Sequence, residues 1–248
     1  MKTQNIPKSA CLAAAIVTLA CAGSVNANTI TAVIGGQAQS GATYQNFDSL
    51  TPGQSGAFPL GSVSVILNPN AVVVQNSPSP SPANPYVSGN NNVNFGAAYS
   101  GGDHTPYLTA GDTGHNGSIT FNFSTAANYF GLLWGSVDAQ NTLNFYSGPN
   151  GGGTLVATVT GSNIAGINPT IIQTGYGDSF DPWGTAYVNI DTTVAFESVV
   201  ATSALYTFEI DNVSYQNVGG VPDGGTTVGL LGLGLAALAS LRRLFALA

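Results

Sequence analysis

Nowhere between Asn28 and Gly220 does the apolar spacing of a helix persist; apolar residues fall instead in short runs punctuated by Gly, Pro and Asn. In Ser118-Ile-Thr-Phe-Asn-Phe123, residues Ile119, Phe121 and Phe123 share one face and Thr120 and Asn122 the other, the period of a half-buried strand. Comparable segments are Thr29 to Ile34, Gly61 to Leu67, Ala71 to Gln75, Tyr129 to Trp134, Asn141 to Tyr146, Thr154 to Thr160, Ala186 to Ile190, Phe196 to Thr202 and Leu205 to Tyr215. Asn68-Pro69-Asn70 has the composition of a tight turn, and Gly148 to Gly153 that of a flexible one. In the last segment Tyr206, Phe208 and Ile210 share a face while Val213 and Tyr215 take the opposite parity, so a bulge is expected at Asp211-Asn212. Many short strands between turns predict an all-β fold, an antiparallel β-sandwich or jelly roll. Residues 28–220 suffice for one such domain. Asn76 to Pro85, with Pro78, Pro80, Pro82 and Pro85, favours polyproline II and reads as an exposed loop inserted in the sandwich. Ser100 to Gly117 also reads as loop.

Charge restricts the function. The only Lys and Arg residues are Lys2, Lys8, Arg242 and Arg243, so 28–220 carries none, while it holds carboxylates at Asp48, Asp103, Asp112, Asp138, Asp178, Asp181, Asp191, Glu197, Glu209 and Asp211. Nucleic-acid and anionic-lipid binding depend on cationic side chains meeting phosphate, so this composition excludes both from the body. Charged residues are 6% of the chain, against roughly 25% in an ordinary domain; solubility rests on Asn, Ser, Thr, Gly and carboxylates.

The two ends carry addresses. Lys2 and Lys8, the apolar run Ala10 to Ala22 and the small-x-small site Val25-Asn26-Ala27 compose a secretory signal peptide over 1–27, with cleavage expected after Ala27. Both cysteines, Cys11 and Cys21, lie in it, so the mature chain has neither thiol nor disulfide. At the other end a pliable strap, Val221-Pro222-Asp223-Gly224-Gly225, precedes the apolar run Thr226 to Leu241 and the pair Arg242-Arg243. The run has 16 residues, short of the roughly 20 that span a bilayer core, and the arginines make a cytoplasmic stop. Composition alone is compatible with a simple C-terminal anchor helix. The order of the parts resembles the PEP-CTERM class of bacterial sorting signals, in the variant written VPDSG, with Gly224 in place of its serine and Leu244 to Ala248 following the arginines. That resemblance implies an exported protein held transiently in the membrane by residues 221–248 and processed there by an exosortase.

Two blocks carry a second resemblance. Tyr129 to Tyr146, with Trp134-Gly-Ser-Val-Asp138 at its centre, is similar to a segment of exosortase-dependent surface proteins. Phe208-Glu-Ile-Asp-Asn-Val213 is similar to the closing strand of their β-sandwich and of galactose-binding-like sandwiches. Trp134, Phe130, Phe145 and Phe208 are expected in the core.

No residue set reads as catalytic. Gly177-Asp-Ser179-Phe180 mimics the opening of a GDS-type esterase but lies late, among Gly and Pro, with no helix after it. Asp103-His104 and Asp112-Thr-Gly-His115 read as polar loops, and Glu197 and Glu209, the only glutamates, sit in strands. Calcium suits a body with many carboxylates and no competing Lys or Arg; Asp48, Asp138, Asp211 and Asn212 are the candidate ligands. Tyr176, Trp183 and Tyr187 are candidates for stacking on sugar rings. The expectation is a surface or extracellular-matrix protein with a structural or glycan-associated role and extracellular polysaccharide as partner. The alternative is a secreted hydrolase acting on polysaccharide.

Overall fold

The computed structural model describes residues 28–76, 82–94, 100–111, 115–171 and 184–218. Its strands are β1 (Thr29–Val33), β2 (Thr43–Gln45), β3 (Gly56–Leu60), β4 (Val63–Leu67), β5 (Ala71–Gln75), β6 (Tyr86–Val87), β7 (Gly101–Gly102), β8 (Pro106–Ala110), β9 (Gly117–Gly135), β10 (Thr142–Tyr146), β11 (Leu155–Thr160), β12 (Ala186–Ser203) and β13 (Phe208–Asn217). Short helices α1 (Gly89–Asn94) and α2 (Gly161–Ile167) and a 3-10 turn at Pro149–Gly151 interrupt them. Every strand pairing among the described residues is antiparallel.

The segments expected as separate strands at Ser118 to Phe123 and Tyr129 to Trp134 are one, the 19-residue β9; Ala186 to Ile190 and Phe196 to Thr202 likewise merge into the 18-residue β12. These two strands build the sandwich. Their register breaks between Asp191 and Ser198, and on either side of that break they pair with different neighbours. Gly117 to Phe123 and Ser198 to Ser203 lie in a layer with β3, β4, β10 and β11. Tyr129 to Gly135 and Ala186 to Asp191 lie in the other, with β1, β13, β8, β2 and β5. The sheet is thus one continuous eleven-stranded ladder that turns back on itself.

Aromatic rings close the space between the layers. Phe130 of the second layer meets Phe121 at 5.5 Å and Phe123 and Phe145 at 6.1 Å, all from the first. Phe123 also meets Tyr215 at 5.2 Å, and Trp134 packs on Phe208 at 4.5 Å. Trp134, Phe130, Phe145 and Phe208 are all fully buried, as the alternation required.

Three local features have clear causes. The Asn68-Pro69-Asn70 turn places Asn70 at φ 63°, a left-handed conformation Asn tolerates, and carries the chain from β4 in one layer to β5 in the other. Asn212 has φ 47°, and the pairing slips between Asp211 and Ser214, which is the bulge expected there. A capping box closes α2: Asn163 N–H donates to Thr160 Oγ1 (3.2 Å) and Asn163 Oδ1 accepts from Thr160 N–H (2.9 Å).

Two loop expectations need correcting. Ser100 to Gly117 contains β8, whose five residues are all buried; a strand covered on both faces loses the alternation that would announce it. Of the proline-rich segment, residues 77–81 lie outside the described residues, and Pro82, Asn84 and Pro85 are buried, not exposed. Gly135 makes this possible, because a Cβ there would stand 3.1 Å from Pro85 Cγ and 3.1 Å from Glu209 Cβ.

Candidate functional site

The second layer has an apolar face and a polar one. Phe130, Leu132 and Trp134 on β9, Val188 and Ile190 on β12 and Phe208 and Ile210 on β13 face the core. The opposite parity places Tyr129, Tyr187, Asn189, Glu209, Asp211 and Ser214 on the outer face. Such positions ordinarily face water. Here Ala38 and Gln39, before β2, and Ala83, Asn84, Val87 and Asp103 lie over them, and Tyr129, Tyr187, Glu209, Asp211 and Ser214 are buried.

Tyrosine hydroxyls knit the middle of this layer. Tyr129 Oη donates to Asn189 Oδ1 (2.6 Å), accepts from Gln39 N–H (3.1 Å) and lies 2.9 Å from Ser214 Oγ. Gly131 leaves the space they need, since a side chain there would collide with Tyr129 Oη. Tyr187 Oη donates to the Asn212 carbonyl (3.0 Å) and pairs with Ser214 Oγ (2.8 Å). Tyr187 is therefore corrected from an exposed stacking ring to a fully buried one, tying β12 to the bulge of β13. Tyr176 and Trp183 lie outside the described residues, as do Ser179, Asp112, Ala27, Val221 to Gly225 and Arg242-Arg243.

Carboxylates occupy the β8–β13 side in two groups. In the first, Glu209 Oε1 accepts from Thr207 Oγ1 and from Ala83 N–H (3.3 Å), while Glu209 Oε2 is buried without a partner. Burial pushes the Glu209 carboxyl up to about 8, with the charge of Asp138 adding to the shift. Burial likewise carries Asp138 up to about 7. Asp138 sits in the turn after β9, where Asn141 N–H donates to its carbonyl (3.1 Å). Glu197, the other glutamate, lies half-buried where β12 passes between layers.

In the second group, the Asp211 carboxyl comes within hydrogen-bonding reach of Asp103 and feels the charge of Asp48; burial first, then these neighbours, raises it well above the ordinary carboxylate range. Asp211 Oδ1 accepts from Asn212 N–H (2.7 Å), whereas Asp211 Oδ2 is buried with no hydrogen-bond partner. Asp103 is nearly buried and its Oδ1 accepts from both Thr105 N–H (2.7 Å) and Thr105 Oγ1 (2.6 Å). Asp48 is exposed at the rim, with Asn46 Nδ2 donating to its Oδ2 (3.0 Å). Of the four calcium candidates, Asp211 feels the charge of Asp48, Asn212 sits at the bulge beside Asp211, and Asp138 acts on Glu209; among the described residues no three carboxylate, histidine or cysteine side chains gather on one point. Asp103 was not among the sequence candidates, because the carboxylates near it, Asp211 and Asp48, come from chain positions far from it.

A second concavity lies at one end of the sandwich. Asn68, Asn116, Ser118, Thr202 and Ala204 help line an open groove of about 450 Å³. Leu205 and Tyr206, both exposed, follow directly on Ala204.

No curated protein matches the chain. Among solved structures, the K2 cleaved adhesin domain of Lys-gingipain (Kgp) is similar over 71% of this chain and 99% of that one, at 10% identity and a TM-score of 0.41. Among the described residues no helix is long and apolar enough to cross a membrane. Residues 220–245 match the family model described as VPDSG-CTERM motif, so the chain carries a C-terminal sorting signal of the PEP-CTERM type.

Proposed function

We propose that this is a secreted surface or matrix protein whose tail is read and removed by an exosortase-like enzyme, leaving a β-sandwich with a structural, glycan-associated role. The observation that carries the reading is the sorting signal at 220–245. It follows a body that keeps no Lys or Arg once both ends are removed. Fractionation with intact-mass measurement tests the first half. The wild-type chain is expected at the cell surface without its last residues, and a chain lacking Val221 to Ala248 is expected to miss that processing. A mature chain ending intact at Ala248 and stably embedded in membrane would leave only an anchor helix and defeat the proposal.

For the glycan half, the fully buried Tyr187 offers no stacking face, whereas the exposed Tyr206 stands two residues after Ala204 of the groove. An exposed aromatic residue close in sequence to a groove that includes Asn68, Asn116, Ser118 and Thr202 suits a neutral sugar, whose C–H face stacks while its hydroxyls meet amides and hydroxyls. Tyr206→Ala is expected to weaken retention on neutral polysaccharide about tenfold, the loss of roughly 1.4 kcal/mol. Tyr44→Ala, on β2, is expected to leave it unchanged. Equal retention by wild type and Tyr206→Ala in affinity electrophoresis would rule out this groove.

A further inference from the structure

We infer that Asp211 and Asp103, with Asp48 closing from the rim, hold a calcium-class divalent cation that fastens the covering loops to the sheet. Four observations lead there. Asp211 is 0% exposed and its Oδ2 has no donor, so an acceptor is aimed into a buried space with nothing to satisfy it. Its close neighbour is the carboxyl of Asp103, an acceptor too, and two carboxylates at that range require a shared proton or a cation between them. The body has no Lys or Arg to serve as that cation. Two further side-chain oxygen donors are nearby, the Thr105 hydroxyl and Asp48.

An all-oxygen set from three separate stretches of chain is the chemistry of a hard cation, and its irregular geometry suits calcium better than magnesium, which demands a near-ideal octahedron and keeps its waters. As placed, no three carboxylate, histidine or cysteine side chains among the described residues converge on a single ion. The two buried aspartates are therefore the fixed part. Asp48, exposed on the loop after β2, would complete the set from the rim. Bound this way, the ion ties the loop at 48 and the segment at 103–105 to the bulge of β13. The stretch holding Asp103 is the one that covers the outer face: Asp103 N–H donates to the Pro85 carbonyl (2.8 Å) and Asn84 Nδ2 to the Asp103 carbonyl (2.6 Å).

The test uses the full chain in detergent, stripped with EDTA and titrated with calcium chloride or magnesium chloride alone, with bound metal counted by mass spectrometry and unfolding followed by heating. Wild type is expected to take up one calcium per chain and to gain about 5–10 °C in Tm at a calcium concentration roughly a hundredfold above Kd. Asp211→Asn and Asp103→Asn are expected to lose both uptake and shift, while Asp138→Asn keeps both. In EDTA the Asp211→Asn protein is expected to melt no lower than wild type, because an uncharged amide replaces a buried carboxyl whose ionised form has no cation beside it; that separates lost binding from lost folding, and Asp103→Asn provides the same comparison should Asp211→Asn fold poorly. Folded wild type that takes up no calcium at about 10 mM, an order above the usual range for extracellular sites, would overturn the inference. So would unchanged uptake by both variants, or an equal response to magnesium. A stability that follows pH and ignores metal would show a proton between the carboxyls instead, and would overturn it as well.

Discussion

In metal-free buffer the protein is expected to become steadily less stable between about pH 4.5 and pH 8, the reverse of ordinary acid denaturation. Glu209 is fully buried and its carboxyl is raised from 4.5 to about 8 in the folded protein; Asp138 is raised from 3.8 to about 7, and Asp211 also moves up. Between the unfolded and folded values the native state holds protons that the unfolded chain has released. Stability therefore falls as pH rises, by about 1.4 kcal/mol per pH unit for each proton held only by the folded state. The contribution is complete below the unfolded value and gone above the folded one. Urea midpoints at pH 5, 6, 7 and 8 in EDTA measure it. Glu209→Gln is expected to flatten the slope and to raise the midpoint at pH 8 while changing little at pH 5, since the amide keeps an oxygen for Thr207 and Ala83 and carries no charge. A midpoint that is level or rises across this window would mean that these carboxyls are not buried as described.

Phe130→Ala is expected to cost about 3–5 kcal/mol, the range for emptying a large aromatic position in a core. Phe130 is 0% exposed, and its ring touches Phe121, Phe123 and Phe145 of the opposite layer, so no single neighbour can collapse into the space. Val194→Ala, at a site 57% exposed where β12 passes between layers, is the control, expected within about 0.5 kcal/mol of wild type. Denaturant unfolding compares the two. A loss under about 1.5 kcal/mol for Phe130→Ala would show that the layers do not meet through this ring.

Strands with one apolar face were legible because their period is written in single residues: Ile119, Phe121 and Phe123, or Leu143 and Phe145. The bulge was legible too, since the parity change from Ile210 to Val213 leaves one residue too many. Two kinds of feature were not. The continuity of β9 and β12 across the layers depends on partners from β4 and β13, and nothing at Ser124 to Asn128 distinguishes a strand that changes layers from a turn between two strands. Burial of the polar outer face depends on loops folding back over it. Glu209 and Asp211 alternate with Phe208 and Ile210 as water-facing residues would, and only the covering by Asn84, Pro85 and Asp103 removes them from solvent. Ala38 and Val87 likewise hide Tyr187, whose parity on β12 reads as outward. Asp48 and Asp211 were recognisable as oxygen donors by type, but the influence of Asp48, before β3, and Asp103, before β8, on Asp211 within β13 is a property of the fold.

The pairing of β1 with β12 sets an order of events. Thr29, at the start of the body, lies opposite Asp191, and β13, the last strand, enters the sheet interior between β9 and its neighbours β8 and β2. The first strand has no partner until nearly the whole body has been made, and the second layer has a gap until Asn217 is in place, directly before the sorting signal begins. Contacts so distant along the chain are slow to form. If the chain is exported from its amino end, as proposed, the pairs β3–β4, β4–β9 and β5–β8 can form early, whereas the second layer closes only once the residues just before the sorting signal have emerged.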